Sequence, residues 1–248
     1  MSPRHDRPVA LITGAGKRVG AVIARTLHAA GYDLVLHCRH SVAEASELAA
    51  QLAQVRTDST LVLQAELAEP ATPAELVAAT LARYGRLDAL VNNASAYYAT
   101  PLATTTPAQW DELLGTNARV PFFLSQAAAD ALRAARGAIV NIADIYAERP
   151  LRGYPVYSVS KAALVMLTKV LAVELGPEVR VNAVAPGNML WSTNAVKAET
   201  ADTVRERTAL GRQGSPQDVA DAVLYLVRDA HYTSGTVLAT DGGRLLHI

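Results

Sequence analysis

Cysteine is almost missing from this chain. The one thiol, Cys38, has no second cysteine to pair with, so no disulfide can form within the chain and a reducing cytoplasm is the expected compartment. An excess of either charge is missing too. Lys and Arg number 23, Asp and Glu number 23, and the formal net charge is +0. That balance leaves no nucleic-acid or membrane footprint at the level of net charge. No apolar run reads as long enough to cross a bilayer. Residues 1–7 are polar, lack the apolar segment of a signal peptide, and are expected to form a flexible tail. His28, His231, His247 and Cys38 have no metal-ligand spacing, so no metal site is expected. Aromatics make up 5 % of the 248 residues, while hydrophobic residues make up 50 %. Ala, Val and Leu dominate, which suits helices packed on a sheet in one domain of residues 8–248. Repeats, low-complexity tracts and linkers are also missing.

What is present alternates. Val9-Ala-Leu-Ile-Thr13 is a short apolar run and predicts a buried strand. Gly14-Ala-Gly-Lys17-Arg18-Val19-Gly20 follows, then an amphipathic helix to about Ala30, closed by Gly31. Strand, glycine turn and helix N-terminus form the phosphate cradle of a dinucleotide fold. Asp33–His37 reads as the second strand. It runs out into His37-Cys38-Arg39-His40-Ser41 with no acid until Glu44. A carboxylate there would hold a ribose 2′-hydroxyl, whereas Arg39, His40 and Ser41 suit a 2′-phosphate. The expected cofactor is therefore NADP(H). Ser41 also reads as the cap of a helix over 42–55. Residues 60–65 predict a third strand, with Glu66 and Leu67 at the adenine edge.

A helix from Thr72-Pro73 to Tyr84 comes next. Leu87–Val91 reads as the fourth strand, ending in Asn92-Asn93-Ala94-Ser95-Ala96-Tyr97-Tyr98. Helices are expected over 106–117 and 119–135, the second with a small-residue face. Residues 138–142 form the fifth expected strand, 178–184 the sixth, and 236–239 the last. Between the last two, 188–210 is polar with poor periodicity and reads as a substrate lid, and a helix runs from the Ser215 cap to about Val227. Trp110 and Tyr225 read as core, and Cys38 as a buried strand-end filler. The pattern is one doubly wound, Rossmann-like parallel α/β sheet flanked by helices, without a second domain.

The chemistry concentrates in 144–161. Tyr157 and Lys161 are four residues apart, on one face of an expected helix over 157–175. An ammonium beside a phenol favours phenolate and is expected to lower the Tyr157 pKa from about 10 toward neutrality. Such a phenol gives and recovers a proton. Asp144, thirteen residues upstream, lies just past the fifth strand. Once ionised it can only accept hydrogen bonds, so it opposes Lys161, favours the protonated phenol, and suits a substrate rich in N–H donors.

Taken together, Thr13-Gly14 with Gly20, Asn92-Asn93-Ala94, Asn117, Tyr157-x-x-x-Lys161, Pro186-Gly187 and Asp241-Gly242-Gly243 resemble the short-chain dehydrogenase/reductases over nearly the whole length. Arg18 in the glycine turn, Ser95 after Asn-Asn-Ala, and Asp144 where a serine is expected resemble the pteridine-reductase branch. That resemblance implies roles. Arg18 would touch the cofactor pyrophosphate and the pterin. Ser95 would bond the pterin or a cofactor phosphate, and Tyr97 would stack on the pterin. Asn117 would support Lys161 through water, while Met189 and Trp191 would line the pocket. Val19, Asn93, Ala94, Pro186 and Gly187 would contact the cofactor. It also implies a homotetramer through helices 119–135 and 157–175. The reaction implied is NADPH-dependent reduction of a pterin or folate. A ketone or 3-oxoacyl reductase and a non-catalytic NADP-binding regulator are the alternatives.

Overall fold

A computed structural model describes residues 7–189 and 200–246. Seven strands form one parallel sheet: β1 (Val9–Ile12), β2 (Asp33–Cys38), β3 (Thr60–Gln64), β4 (Ala89–Asn92), β5 (Ala138–Ile142), β6 (Arg180–Pro186) and β7 (Val237–Thr240), in the order β3-β2-β1-β4-β5-β6-β7. The chain leaves β1 toward β3 and returns on the other side of β1, at β4. Ligands of such sheets bind where that reversal opens a crevice at the strands' C-terminal ends. The glycine turn, the segment after β4 and Asp144 all lie at those ends.

The central strands are apolar on both faces because helices cover both. In β1 the period of two sends Ala10 and Ile12 into one cluster and Val9 and Leu11 into the other. The first cluster is closed by α1 (Arg18–Ala29), α2 (Val42–Val55) and α8 (Pro216–Leu224), through Ile23, Leu27, Leu48, Val219 and Val223. The second is closed by α3 (Thr72–Tyr84), α5 (Val120–Ala135) and α6 (Pro155–Leu175), through Leu76, Leu124, Leu132 and Leu171. Two short helices remain, α4 (Pro107–Leu114) and α7 (Ala201–Arg207).

The expected alternation holds, with several local corrections. β6 starts and ends two residues later than read from the sequence, because Arg180, not Glu178, is the first residue to pair with β5. The helices expected over 106–117 and 119–135 are joined by a π turn, Gly115–Arg119, which carries Asn117; π turns of this kind commonly mark functional positions. Ser41 occupies the cap position of α2, but its side chain makes no cap bond. Trp110 and Tyr225 are 46 % and 48 % exposed rather than core, since each lies on the outward side of its helix. Part of the expected lid is ordered helix, α7, while 190–199 and residues 1–6 of the expected tail lie outside the described residues. Arg7, the last residue of that tail, pairs with buried Asp33 at 3.3 Å. By length and composition α6 does reach what a membrane span needs, against the reading that no run does. Its inner face, however, packs on the sheet as the layer beneath the site.

A buried polar chain fixes α6 to that sheet. Asn92 and Asn141 are direct neighbours across β4 and β5. Asn92 donates to Asn141 Oδ1 at 2.8 Å, and Asn141 donates to Thr168 Oγ1 at 2.9 Å. Asn141→Ala removes both bonds, leaving Asn92 Nδ2 on its long bond to Ser125 Oγ at 3.4 Å and Thr168 Oγ1 on the Leu164 carbonyl at 2.9 Å. It should lower unfolding free energy by about 1–3 kcal/mol, measured by urea titration; an unchanged midpoint would contradict this anchoring role.

Candidate active site

Three segments meet at the crevice. The first is the glycine turn. Gly14 has φ +63 and accepts, through its carbonyl, the Asn93 side-chain amide at 3.1 Å. A Cβ at Gly20 would stand 2.2 Å from the Gly14 oxygen, and one at Gly16 would stand 2.5 Å from Ser41 Oγ. Both positions therefore need glycine, and the turn stays a tight backbone cradle. Thr13 Oγ1 locks it in place by accepting from Asn93 N–H at 2.9 Å and Ala94 N–H at 3.0 Å. Arg18 opens α1 at φ +52, a left-handed conformation that costs a side-chain-bearing residue about 1–3 kcal/mol and recurs at functional sites. Lys17 and Arg18 are exposed and Val19 is buried.

This cradle fits a dinucleotide, since exposed cations, a left-handed turn and a helix N-terminus stand together at the crevice. His37 was expected to touch that cofactor, and its ring is instead occupied by backbone. Nδ1 faces Gly14 N–H at 3.4 Å and Nε2 faces the Ala65 carbonyl at 3.1 Å. This arrangement requires the neutral Nε2–H tautomer, and burial lowers the His37 pKa accordingly. His37 is thus the strut between the glycine turn and the adenine edge. Arg39 pairs with Glu66 at 2.6 Å, and Lys17 pairs with Glu44 at 2.6 Å. Arg39, His40, Gln64, Ala65 and Glu66 line a pocket of ≈ 380 Å³. Leu67 is buried in the core beside it.

The second segment follows β4. Asn117 clasps it from the π turn: its Oδ1 accepts Ala96 N–H at 2.9 Å and its Nδ2 donates to the Ala96 carbonyl at 3.0 Å. The same Nδ2 donates to Ser160 Oγ at 2.9 Å. Asn117 therefore reaches the Lys161 helix through Ser160, by direct bonds. Ser95 is exposed at the crevice. Tyr97 stacks on Tyr154 at 4.9 Å and 11°, and meets the edge of Tyr157 at 4.7 Å and 79°.

The third segment is the centre. Tyr157 donates its hydroxyl hydrogen to Asp144 Oδ2 at 2.7 Å, while Asp144 Oδ1 accepts Tyr146 N–H at 2.9 Å. Lys161 Nζ donates to the Ile142 carbonyl at 2.9 Å and lies 5.7 Å from the Tyr157 ring centroid. Burial raises the Asp144 carboxyl above its usual range, against the hydrogen bonds it accepts and the Lys161 charge. Burial and then Asp144 hold the Tyr157 phenol well above 10. The fall toward neutrality expected from Lys161 is therefore overturned, while the opposing effect expected of Asp144 is present. Lys161 is anchored on a backbone carbonyl rather than on the phenol, and its own pKa is pushed down to about 8 by burial. A protonated phenol, a hydrogen-bond acceptor and a buried ammonium form the reactive group.

Met189 was expected to line the pocket. It is instead 2 % exposed, in the α1–α8 core, bridged to Gly214. Its sulfur lies 2.6 Å from where a Gly214 Cβ would stand, so the contact is core packing. Trp191 lies outside the described residues. Pro186 ends β6, and Gly187 lies so close to Asp241 that a Cβ would come within 2.7 Å. The sequence reading missed Tyr154, which stands three residues before Tyr157 at the cap position of α6. It also missed Thr13 as the clamp on Asn93.

A family model described as enoyl-(acyl carrier protein) reductase matches residues 14–244. The chain belongs to the short-chain dehydrogenase/reductase family. It is an NAD(P)-dependent oxidoreductase of that family. A Streptomyces violaceoruber protein, named as a ketoacyl reductase of the granaticin polyketide synthase, is 41 % identical, with 96 % of each chain covered. Pteridine reductase 1 of Leishmania tarentolae is 36 % identical, with 98 % of each covered. L-xylulose reductase of Bos taurus is 36 % identical, covering 95 % of this chain and 96 % of its own.

The Lys161 value sets a pH dependence. The ammonium is charged below about pH 8 and neutral above it. The kcat/KM for reduction should fall as pH rises through about 8, and it should fall again at the acid end as the Asp144 carboxylate, whose pKa burial raises, takes up a proton. No tyrosine inflection should appear below 10, because Tyr157 is displaced upward. A pH–rate profile that climbs through 8 would contradict both assignments.

Proposed function

We propose that this enzyme is an NADPH-dependent pteridine reductase acting on a dihydropterin or dihydrofolate. The reading is carried by one observation: the Asp144 carboxylate, 2.7 Å from the Tyr157 oxygen, stands in the crevice as an acceptor. A carbonyl reductase needs donors where negative charge develops on oxygen. A carboxylate repels that charge, whereas it accepts hydrogen bonds from the amino group and ring N–H groups of a pterin. The exposed ring of Tyr97 adds a flat aromatic face beside it. The name of the Leishmania tarentolae relative agrees with this reading.

Bound NADPH supplies the hydride. Gly14, Arg18, Asn93, Ala94, Ser95, Pro186 and Gly187 would hold it, with Arg39, His40 and Ser41 at a 2′-phosphate. Tyr157 keeps its proton across the physiological range and presents it to the substrate nitrogen that gains basicity as reduction proceeds. Asp144 orients the phenol through Oδ2 and offers its remaining lone pairs to substrate N–H groups. Lys161 offsets the negative charge left when the phenol gives up its proton. Asn117 holds the Tyr97 loop and the helix of Tyr157 at a fixed separation.

A second reading, a ketoacyl reductase, is favoured by the higher identity of the Streptomyces violaceoruber relative. NADPH oxidation followed with dihydropterins, with an acetoacetyl thioester and with neither separates the two. Turnover of the thioester alone would sink the pteridine reading, and silence on all of them would favour a non-catalytic NADP-binding role. Tyr157→Phe should lower turnover by about 10²–10⁴-fold with little change in NADPH affinity. Asp144→Ser should impair pterin reduction and admit some carbonyl turnover; unchanged pterin turnover would remove Asp144 from the mechanism.

We also propose a homotetramer built through α5 and α6. Their outward faces carry Phe123, Met166, Val170 and Val173, the last 80 % exposed, and exposed apolar faces of this kind mark association surfaces. Light scattering at micromolar concentration should give four chains, and Val170→Glu with Val173→Glu should lower that number. A monomeric wild type would contradict the assembly.

A further inference from the structure

Two cations flank the part of the crevice expected to hold a 2′-phosphate, and both are already paired with acids of this chain. Arg39 Nε meets Glu66 Oε2 at 2.6 Å, and Lys17 Nζ meets Glu44 Oε1 at 2.6 Å. The two lie on facing loops: the Gly16 backbone packs against Ser41 so closely that a Cβ would come within 2.5 Å of Ser41 Oγ. Glu66 is held by more than its cation. Glu66 Oε1 also accepts Ala68 N–H at 3.1 Å, which sets the carboxylate before any ligand arrives. The Arg39 backbone is fixed in turn, since its carbonyl accepts Gln64 Nε2 at 3.0 Å. Glu66 and Arg39 then meet side by side in the lining of the ≈ 380 Å³ pocket.

We propose that Glu66 and Glu44 are specificity-determining residues, built-in counter-ions that compete with a 2′-phosphate for Arg39 and Lys17 and so set the margin between NADPH and NADH. A phosphate carries more charge than a carboxylate and offers three acceptor oxygens, so it wins the guanidinium. It must first displace Glu66, and both acids then stand near it as like charges. A cofactor without the 2′-phosphate displaces neither pair. Its affinity is insensitive to both acids, and the pairs keep the empty loops from presenting two unbalanced cations. The inference rests on the NADP(H) reading and gives that reading a quantitative handle.

Calorimetric titration with 2′,5′-ADP and with 5′-AMP separates the two, because only the first carries the 2′-phosphate. Glu66→Gln should tighten 2′,5′-ADP by about fivefold, the size of one exposed ion pair, and leave 5′-AMP within about twofold. Glu44→Gln should act in the same direction. The gain should shrink in high salt and vanish when Glu66→Gln is made on an Arg39→Ala background. If Glu66→Gln weakens both ligands equally, Glu66 reads the adenine and does not restrain Arg39, and the proposal is overturned. Unchanged 2′,5′-ADP affinity overturns it as well. If the wild-type protein binds 5′-AMP as tightly as 2′,5′-ADP, the NADP(H) reading itself fails and the inference falls with it.

Discussion

The hydrogen bond from Tyr157 to Asp144 is the constraint around which the crevice is arranged. It joins the end of β5 to the first turn of α6, at 2.7 Å, and every other contact near it serves to keep those two elements apart or together. Lys161 stands one turn further along α6 and is pinned to Ile142, the last residue of β5. Asn141, one residue earlier, holds Thr168 on the same helix. Three bonds in a row therefore stitch one strand to one helix. A buried ammonium is costly unless paired, and here the carbonyl of Ile142 and the charge of Asp144 share that task. Truncating Asp144 would disturb Lys161 as well as Tyr157, because the carboxylate is the opposing charge that acts on the ammonium among the described residues.

The opposition of Asp144 to Lys161 was readable from their positions; the larger effect of burial on Tyr157 was not. Tyr157 and Lys161 are legible as neighbours on a helix face, since four residues make one turn. Neighbourhood alone predicts a lowered phenol pKa. Burial reverses the sign, because it penalises the phenolate, and Asp144 adds to the reversal. Desolvation depends on what packs over the site, here Tyr97 and its stack with Tyr154, and no local motif carries it.

The sheet itself was legible because its strands are short, mostly apolar runs, those of β1, β4 and β6 ended by glycine, asparagine or proline, and the helices between them carry a different period. What escaped is tertiary. Met189 is apolar and follows Pro186-Gly187, so it reads equally as pocket lining or core; its neighbour Gly214, twenty-five residues on, decides for core. The π turn at Asn117 has no propensity signal, since an i→i+5 step is a response to packing at both ends. His37 looked like a cofactor ligand because it lies at the end of β2. The register of β2 with β3 and the approach of Gly14 turn its ring into a strut. The ion pair of Arg39 with Glu66 follows from strand register: Cys38 pairs with Gln64, which brings the residues just past the two strand ends together.

The two halves of the crevice follow the same electrostatic rule with opposite outcomes. At the cofactor end, acids and bases meet in water-exposed pairs, where an ion pair contributes about 0–1 kcal/mol and exchanges readily for a ligand phosphate. At the reactive end, the charges are buried, each has a fixed backbone partner, and exchange is not available to them. Asp144 takes Tyr146 N–H, and Lys161 takes the Ile142 carbonyl. A site built this way can release its outer charges to a ligand while its inner charges stay where the fold put them. On the proposed reading, substrate discrimination falls to the inner set, which places a carboxylate acceptor and an aromatic face beside the Tyr157 donor.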